Sequence, residues 1–183
     1  MRILILGGNG MLGHQLLLYL RQKHEVKVTL HKDLAAYNKY SYFDHKNSYD
    51  GLDVRCFQRL LEVLVDFKPD AVINAVGIIK QRPASKDSIE SIEINALLPH
   101  QLSILCKGVG SRLVHISTDC VFSGKKGNYK ENDISDAEDL YGKTKFLGEV
   151  HDSNAITLRS SISEKNFFTK KACLNGFLLK KER

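Results

Sequence analysis

The sequence predicts an α/β protein built as a doubly wound parallel sheet, and three observations carry that reading. Short apolar runs alternate with segments of helical period from residue 2 to about residue 160. The first run, Arg2-Ile3-Leu4-Ile5-Leu6, breaks at once into Gly7-Gly8-Asn9-Gly10-Met11-Leu12-Gly13. No internal repeat interrupts the alternation, so the pattern fits one sheet covered by helices on both faces.

The opening run is too short for a helix and reads as a buried strand. From Met11 to Leu20 the period changes, with Leu12, Leu16, Leu17 and Leu20 at helical spacing. The glycines therefore sit where a strand turns into a helix, the context a dinucleotide-binding loop requires. Glycines permit the tight turn and let a pyrophosphate approach the backbone. The first N–H groups of a helix lack internal partners, and the helix dipole adds positive charge there. Gly7, Asn9, Gly10, Met11, Leu12 and Gly13 are the candidate phosphate-binding residues.

Val26 to Leu30 reads as the second strand, ended by His31 and Lys32. An acidic residue at this point suits the adenosine ribose of NAD, and a basic one suits a 2′-phosphate. Lys32 with His31 favours NADP, and the neighbouring Asp33 keeps NAD open. Residues 35–50 have no clear period and read as a loop with a short strand. Val54 to Phe67 reads as a helix with Phe57, Leu60, Leu61, Leu64 and Val65 on one face. Ala71 to Gly77 is a buried strand running into small residues, which let a ligand lie close to the backbone.

Residues 78–87, with Pro83, read as a loop. Ser88 to Lys107 reads as a long helix that Pro99 interrupts, ended by Gly108 and Gly110. Arg112 to Ile116 is a strand followed by Ser117-Thr118-Asp119. About twenty polar residues lead to a helix over Tyr141 to Val150, and Ala155 to Arg159 is a last strand. Crossovers are expected to be right-handed.

Composition removes several classes of function. Hydrophobic residues make up 43% and charged residues 26%, as in an ordinary globular domain, and no apolar stretch approaches a membrane span. The net charge of +6 is uneven: residues 164–183 hold six basic and two acidic residues, which leaves +2 on residues 1–163. The body thus carries no strong electrostatic footprint for a polyanion such as nucleic acid. Cys56, Cys106, Cys120 and Cys173 form no Cys-x-x-Cys pair and read as reduced thiols of a cytoplasmic protein. No metal site is expected, since no histidine or cysteine spacing suits zinc. There is no Gly-x-Ser-x-Gly elbow. Gly13 is followed by His14, which excludes the Gly-Lys-Ser/Thr loop of ATPases.

Tyr141 and Lys145 stand four apart, one turn apart on the same side of a helix. A tyrosine hydroxyl is a poor acid at neutral pH, and a nearby ammonium favours its phenolate. Such a pair is common by chance, and gains weight beside a nucleotide loop. Thr118 ends the preceding strand, where its hydroxyl is placed to meet a substrate carbonyl; Ser117 competes for that role.

With these residues in place, the sequence resembles the extended short-chain dehydrogenase/reductases, and among them the dTDP-4-dehydrorhamnose reductase-like group. The resemblance rests on Gly7-x-x-Gly10-x-x-Gly13, Asn74-Ala75-Val76-Gly77, Ile94-Asn95-Ala96, Ser117 to Gly124 and Tyr141-Gly142-Lys143-Thr144-Lys145, in family order over residues 1–160. It implies an NAD(P)-binding Rossmann fold over residues 1–163 and reduction of a nucleotide-linked 4-keto-6-deoxy sugar, with Thr118, Tyr141 and Lys145 as the catalytic set. It implies that Asp53 and Val54 lie at the adenine, that Ala75, Val76 and Gly77 line the cofactor, and that Ser117, Tyr141 and Lys145 also touch it. The expected partners are NADP or NAD and a nucleotide-sugar substrate, with a homodimer left open and no nucleic acid or membrane. The group has Tyr where this chain has Cys120, which bears on the substrate rather than the cofactor. Dehydratases of the superfamily carry Asp-Glu where this chain has Asp119-Cys120; an epimerase and a non-catalytic dinucleotide-binding module stay as rivals. Family members run on well past this length, so residues 164–183 read as a basic tail on a chain that is a fragment, a frameshifted product or a deliberate truncation.

Overall fold

The computed structural model describes residues 1–79 and 87–161. Most of the expected loop around Pro83, Cys173, the boundary at residue 163 and the basic tail lie outside the described residues. Six strands form one sheet: β1 (Arg2–Leu6), β2 (Glu25–Thr29), β3 (Ser48–Tyr49), β4 (Ala71–Asn74), β5 (Arg112–Ile116) and β6 (Ala155–Leu158). Their spatial order is β3-β2-β1-β4-β5-β6, and every pairing is parallel. The chain moves outward from β1 to β3 and then returns to the other side of β1. The carboxyl ends of β1 and β4 therefore border the crevice where such sheets take ligands.

Alternation along β1 builds the two layers of core. Ile3 and Ile5 face α1 (Met11–Leu20), meeting Leu16, Leu17 and Leu20. Leu4 and Leu6 face the other way, toward α2 (Phe57–Phe67) and α4 (Leu98–Gly108). Ile3, Leu4, Ile5 and Leu6 are buried to 1% exposure or less, so β1 is a central strand and reads as a continuous apolar run after Arg2.

Two expectations need correction. The second helix starts at Phe57, not Val54, and buries Leu60, Val63, Leu64 and Phe67. Phe57, Leu61 and Val65 of the expected face are exposed. This helix is apolar on two adjoining stripes, so its period alone does not choose between them; contact with the sheet and α4 does.

The helix expected over Ser88 to Lys107 with an interruption at Pro99 is three segments: α3 (Ser88–Ser91), a π-helical stretch (Ile92–Leu97) and α4. Pro99 lies just inside α4 rather than at a break. It has no N–H for the Asn95 carbonyl four residues back, and the irregular turn falls immediately before it. Gly148 uses the space beside that carbonyl, where an added Cβ would come within 2.0 Å of the Asn95 oxygen.

Candidate functional site

The glycine loop leaves β1 with Gly7 at φ +82°, a conformation that only glycine adopts readily. The Gly7 N–H donates to Thr29 Oγ1 at 3.1 Å, and the Gly8 N–H donates to the Thr29 carbonyl at 2.8 Å. Gly13 seats α1 on the loop: a Cβ there would lie 2.1 Å from the Gly7 carbonyl oxygen. Gly10 differs. It is the N-cap of α1 with an ordinary φ of −77°, and a Cβ on it would meet only the Gly7 oxygen, at 3.3 Å. No side chain caps α1 and no acidic residue stands in its first turn. The helix start is thus an uncapped, bare backbone surface that suits a pyrophosphate.

Following the carboxyl ends of the strands, the same crevice continues past β4. Val76 lies against Gly7, where an added Cβ would come within 2.9 Å of Val76 Cγ2. Asn74 Oδ1 accepts from the Val76 N–H at 3.1 Å and shapes this turn. Asn95, 1% exposed, clamps the next one, accepting from the Ile78 N–H at 2.9 Å and donating to the Ile78 carbonyl at 3.0 Å. A Cβ on Gly77 would lie 3.4 Å from Asn95 Oδ1 and 3.9 Å from Lys145 Nζ. Ala75, Val76 and Gly77 therefore connect the glycine loop to Lys145.

Lys145 and Tyr141 both lie on α5 (Leu140–Leu147), whose first turn is capped by Asp139 accepting from the Gly142 N–H. Lys145 is 4% exposed, and its Nζ donates to the Ile116 carbonyl at 2.7 Å. Burial pushes its pKa down to about 8, partly offset by the negative charge of Glu149. Gly142 presses this turn onto the segment after β5, where a Cβ would meet the Cys120 carbonyl oxygen at 2.3 Å. Thr118 begins that segment. Its hydroxyl accepts from the Cys120 N–H at 3.1 Å and donates to Asp119 Oδ1 at 3.2 Å, capping a 3₁₀ turn over Asp119–Val121. Ser117 points elsewhere, donating to Glu149 Oε1 at 2.9 Å in a buried setting. That separates the two hydroxyls: Thr118 caps the turn after β5, and Ser117 is bonded to the Glu149 carboxylate.

At the other end of the crevice, the segment after β3 returns to the end of β2. The Gly51 N–H donates to the Lys32 carbonyl at 3.2 Å, and the Leu52 N–H to the Leu30 carbonyl at 3.0 Å. This brings His31, Lys32 and Asp53 to one edge. The Arg55 guanidinium, bonded to Asp53 at 2.6 Å, holds the Asp53 carboxyl below its usual range, with a smaller contribution from His31. Val54 is 9% exposed and packs with Leu4, Leu6 and Leu52.

Sequence reasoning missed several of these groups. Thr29, 1% exposed, anchors Gly7, and its signal was a hydroxyl at the end of the strand beside the glycine loop. Arg55 reaches the Asp53 edge from two residues on. Glu149 stands four residues after Lys145, a spacing that was open to notice. Among the described residues no group of three or more His, Cys, Asp or Glu is placed to hold a metal ion. No helix among them is long and apolar enough to cross a membrane.

Comparison with known proteins gives the geometry a context. Residues 1–161 match the family model described as the RmlD substrate binding domain. The chain is 32% identical over 151 residues to the dTDP-4-dehydrorhamnose reductase of Burkholderia thailandensis, covering 82% of this chain and 45% of that one. A hypothetical dTDP-4-dehydrorhamnose reductase from Sulfolobus tokodaii superposes with a TM-score of 0.72 at 33% identity, over 87% of this chain and 55% of that one. The dTDP-4-dehydrorhamnose reductase of Bacillus anthracis, solved in complex with NADP, superposes at 0.67 with 26% identity, over 86% of this chain and 52% of its own. The chain spans about half the length of the relatives it matches.

Proposed function

Because the chain belongs to the RmlD substrate binding domain family, we propose that it is the dinucleotide-binding part of an NAD(P)H-dependent reductase of nucleotide-linked 4-keto-6-deoxy sugars, acting in cell-surface polysaccharide synthesis. The observation that carries the reading is the continuous line from the bare start of α1, past Val76 and Gly77, to the buried Lys145 ammonium. That line has the uncapped start of α1 at one end and the helix that carries Tyr141 and Lys145 at the other.

The bound cofactor supplies the hydride. Gly7 to Gly13 hold its pyrophosphate through backbone N–H groups. His31 and Lys32 face the adenosine 2′ position, which favours NADP, with Asp53 and Val54 at the adenine. Tyr141 delivers a proton to the carbonyl oxygen of the sugar as the carbon is reduced. Lys145, still charged at neutral pH, stabilises the phenolate that forms and orients the nicotinamide ribose. Thr118 turns its O–H from Asp119 to the carbonyl oxygen and holds it. Ser117 supports the cofactor side of the strand end.

NADPH oxidation with a dTDP-4-keto-6-deoxyhexose, compared between the wild type and Tyr141→Phe, tests the reading. A nucleotide sugar is the small-molecule partner. The reading extends to a second copy of the chain: Ile104 on α4 and Leu147 on α5 are 68% and 62% exposed, and His100 on α4 bonds the Leu147 carbonyl, so the two helices share a face. Light scattering distinguishes monomer from dimer. The free thiols Cys56, Cys106 and Cys120 fit the reducing cytoplasm.

A further inference from the structure

Beside the Tyr141–Lys145 helix lies a buried ion pair that the reaction scheme does not use. The Glu149 side chain is 2% exposed and that of Arg159 is 22% exposed. Arg159 grips the carboxylate with both forks, Nε to Oε1 at 2.8 Å and Nη2 to Oε2 at 2.7 Å. Its remaining Nη1 donates to the Glu131 carbonyl at 3.0 Å, and its guanidinium lies 5.0 Å from the centre of the Phe122 ring. Arg159 thus ties the carboxylate to the loop between β5 and α5.

Glu149 also reaches the site. Its Oε1 accepts from Ser117 Oγ at 2.9 Å. Ser117 is held again on its backbone, its N–H donating to the Leu158 carbonyl at 2.9 Å. The residue before it, Ile116, receives Lys145 Nζ; the residue after it, Thr118, caps the next turn. Glu149 itself has no freedom to drift. Gly148 is wedged against the Asn95 carbonyl, and the Val150 backbone is bonded in both directions to Thr157 Oγ1, at 2.9 and 3.0 Å.

We propose that Glu149, clamped by Arg159, is a positioning residue of this site. Its carboxylate fixes the Ser117 side of the strand end that Lys145 grips through Ile116, and its negative charge acts on the Lys145 ammonium. An ammonium moved out of water loses charge unless an anion accompanies it. Lys145 acts electrostatically on His115 of β5, as does His100 of α4; Tyr141 lies one turn back on the helix of Lys145, and Glu149 is held by Arg159. Of these, Glu149 opposes the effect of burial on Lys145. The inference rests on the reductase reading for its meaning, but not for its test.

The test follows Lys145 in the full chain by NMR of ¹³C-labelled lysine side chains, assigned with Lys145→Met. Glu149→Gln keeps an oxygen for Ser117 and removes the charge. It should lower the Lys145 midpoint by about one pH unit, a tenfold rise in neutral amine at a given pH. Arg159→Gln leaves the carboxylate without its counter-cation and should move the midpoint upward. Each variant stands alone, so one that fails to fold leaves the other. A folded variant that melts earlier while Lys145 titrates as in the wild type overturns the inference and leaves an ordinary structural ion pair. NADPH titration of the wild type and of the same variants separates the two readings: intact binding without a Lys145 shift rejects the positioning role alone, and a wild type that binds no NADPH while the variants shift Lys145 rejects the reductase reading alone.

Discussion

Lys145 Nζ donates to the Ile116 carbonyl at 2.7 Å from a position that is 4% exposed. One bond joins the helix that carries Tyr141 to the strand end that carries Thr118, and it places a charge where water is excluded. Its pKa of about 8 lies below the ordinary 10.5 because of burial. Between those values the unfolded chain binds more protons than the folded one, so this residue's contribution to stability rises with pH across that window. In Lys145→Met the rise should disappear from urea denaturation curves taken between pH 8 and 10. An unchanged pH dependence would mean that Lys145 is exposed in solution.

The two glycines that flank the start of α1 should respond in opposite ways. A methyl at Gly13 would meet backbone at 2.1 Å, whereas one at Gly10 meets it at 3.3 Å. Gly13→Ala should cost about 2 kcal/mol or more of folding stability, and Gly10→Ala less than about 1 kcal/mol. Chemical denaturation checks both; equal costs would show that Gly13 does not seat the helix.

How far the sequence revealed this site depended on whether the signal was local. The glycine loop was legible because strand, turn and helix follow one another within thirteen residues. Tyr141 and Lys145 were legible as neighbours because helical spacing places them. The buried face of α2 was not, because Phe57, Leu61 and Val65 are as apolar as Val63 and Phe67, and only packing selects. The division of labour between Ser117 and Thr118 was also hidden. It depends on Glu149, which the fold brings to Ser117 across 32 positions in the chain, and on Arg159, which holds that carboxylate.

His115 predicts a second pH effect. It is fully buried, Asn74 Nδ2 lies 3.1 Å from its Nδ1, and burial drives its pKa well below 6.5 with help from the charge of Lys145. Below pH 6.5 the unfolded chain takes up a proton that the folded chain refuses, so stability falls as the solution is acidified. His115→Gln should flatten the decline between pH 6.5 and 5. If the variant loses stability as steeply as the wild type, other groups cause the acid sensitivity.

Cofactor preference should follow Lys32. Its backbone is held to Gly51 at the edge where Asp53 and Arg55 meet, and its ammonium is the basic group proposed to meet a 2′-phosphate. Lys32→Glu should weaken NADPH binding about tenfold or more and leave NADH within about threefold. Equal losses for both, or none, would place the 2′-phosphate elsewhere.

The most direct test of the account is calorimetric titration of NADPH into the 183-residue chain and into Gly10→Val. Gly10 has the open backbone position at the start of α1, so a valine there keeps an allowed conformation and fills the space above the helix. NADPH should bind the wild type saturably and the variant not at all, with both folded by circular dichroism. Undiminished binding to Gly10→Val would contradict it.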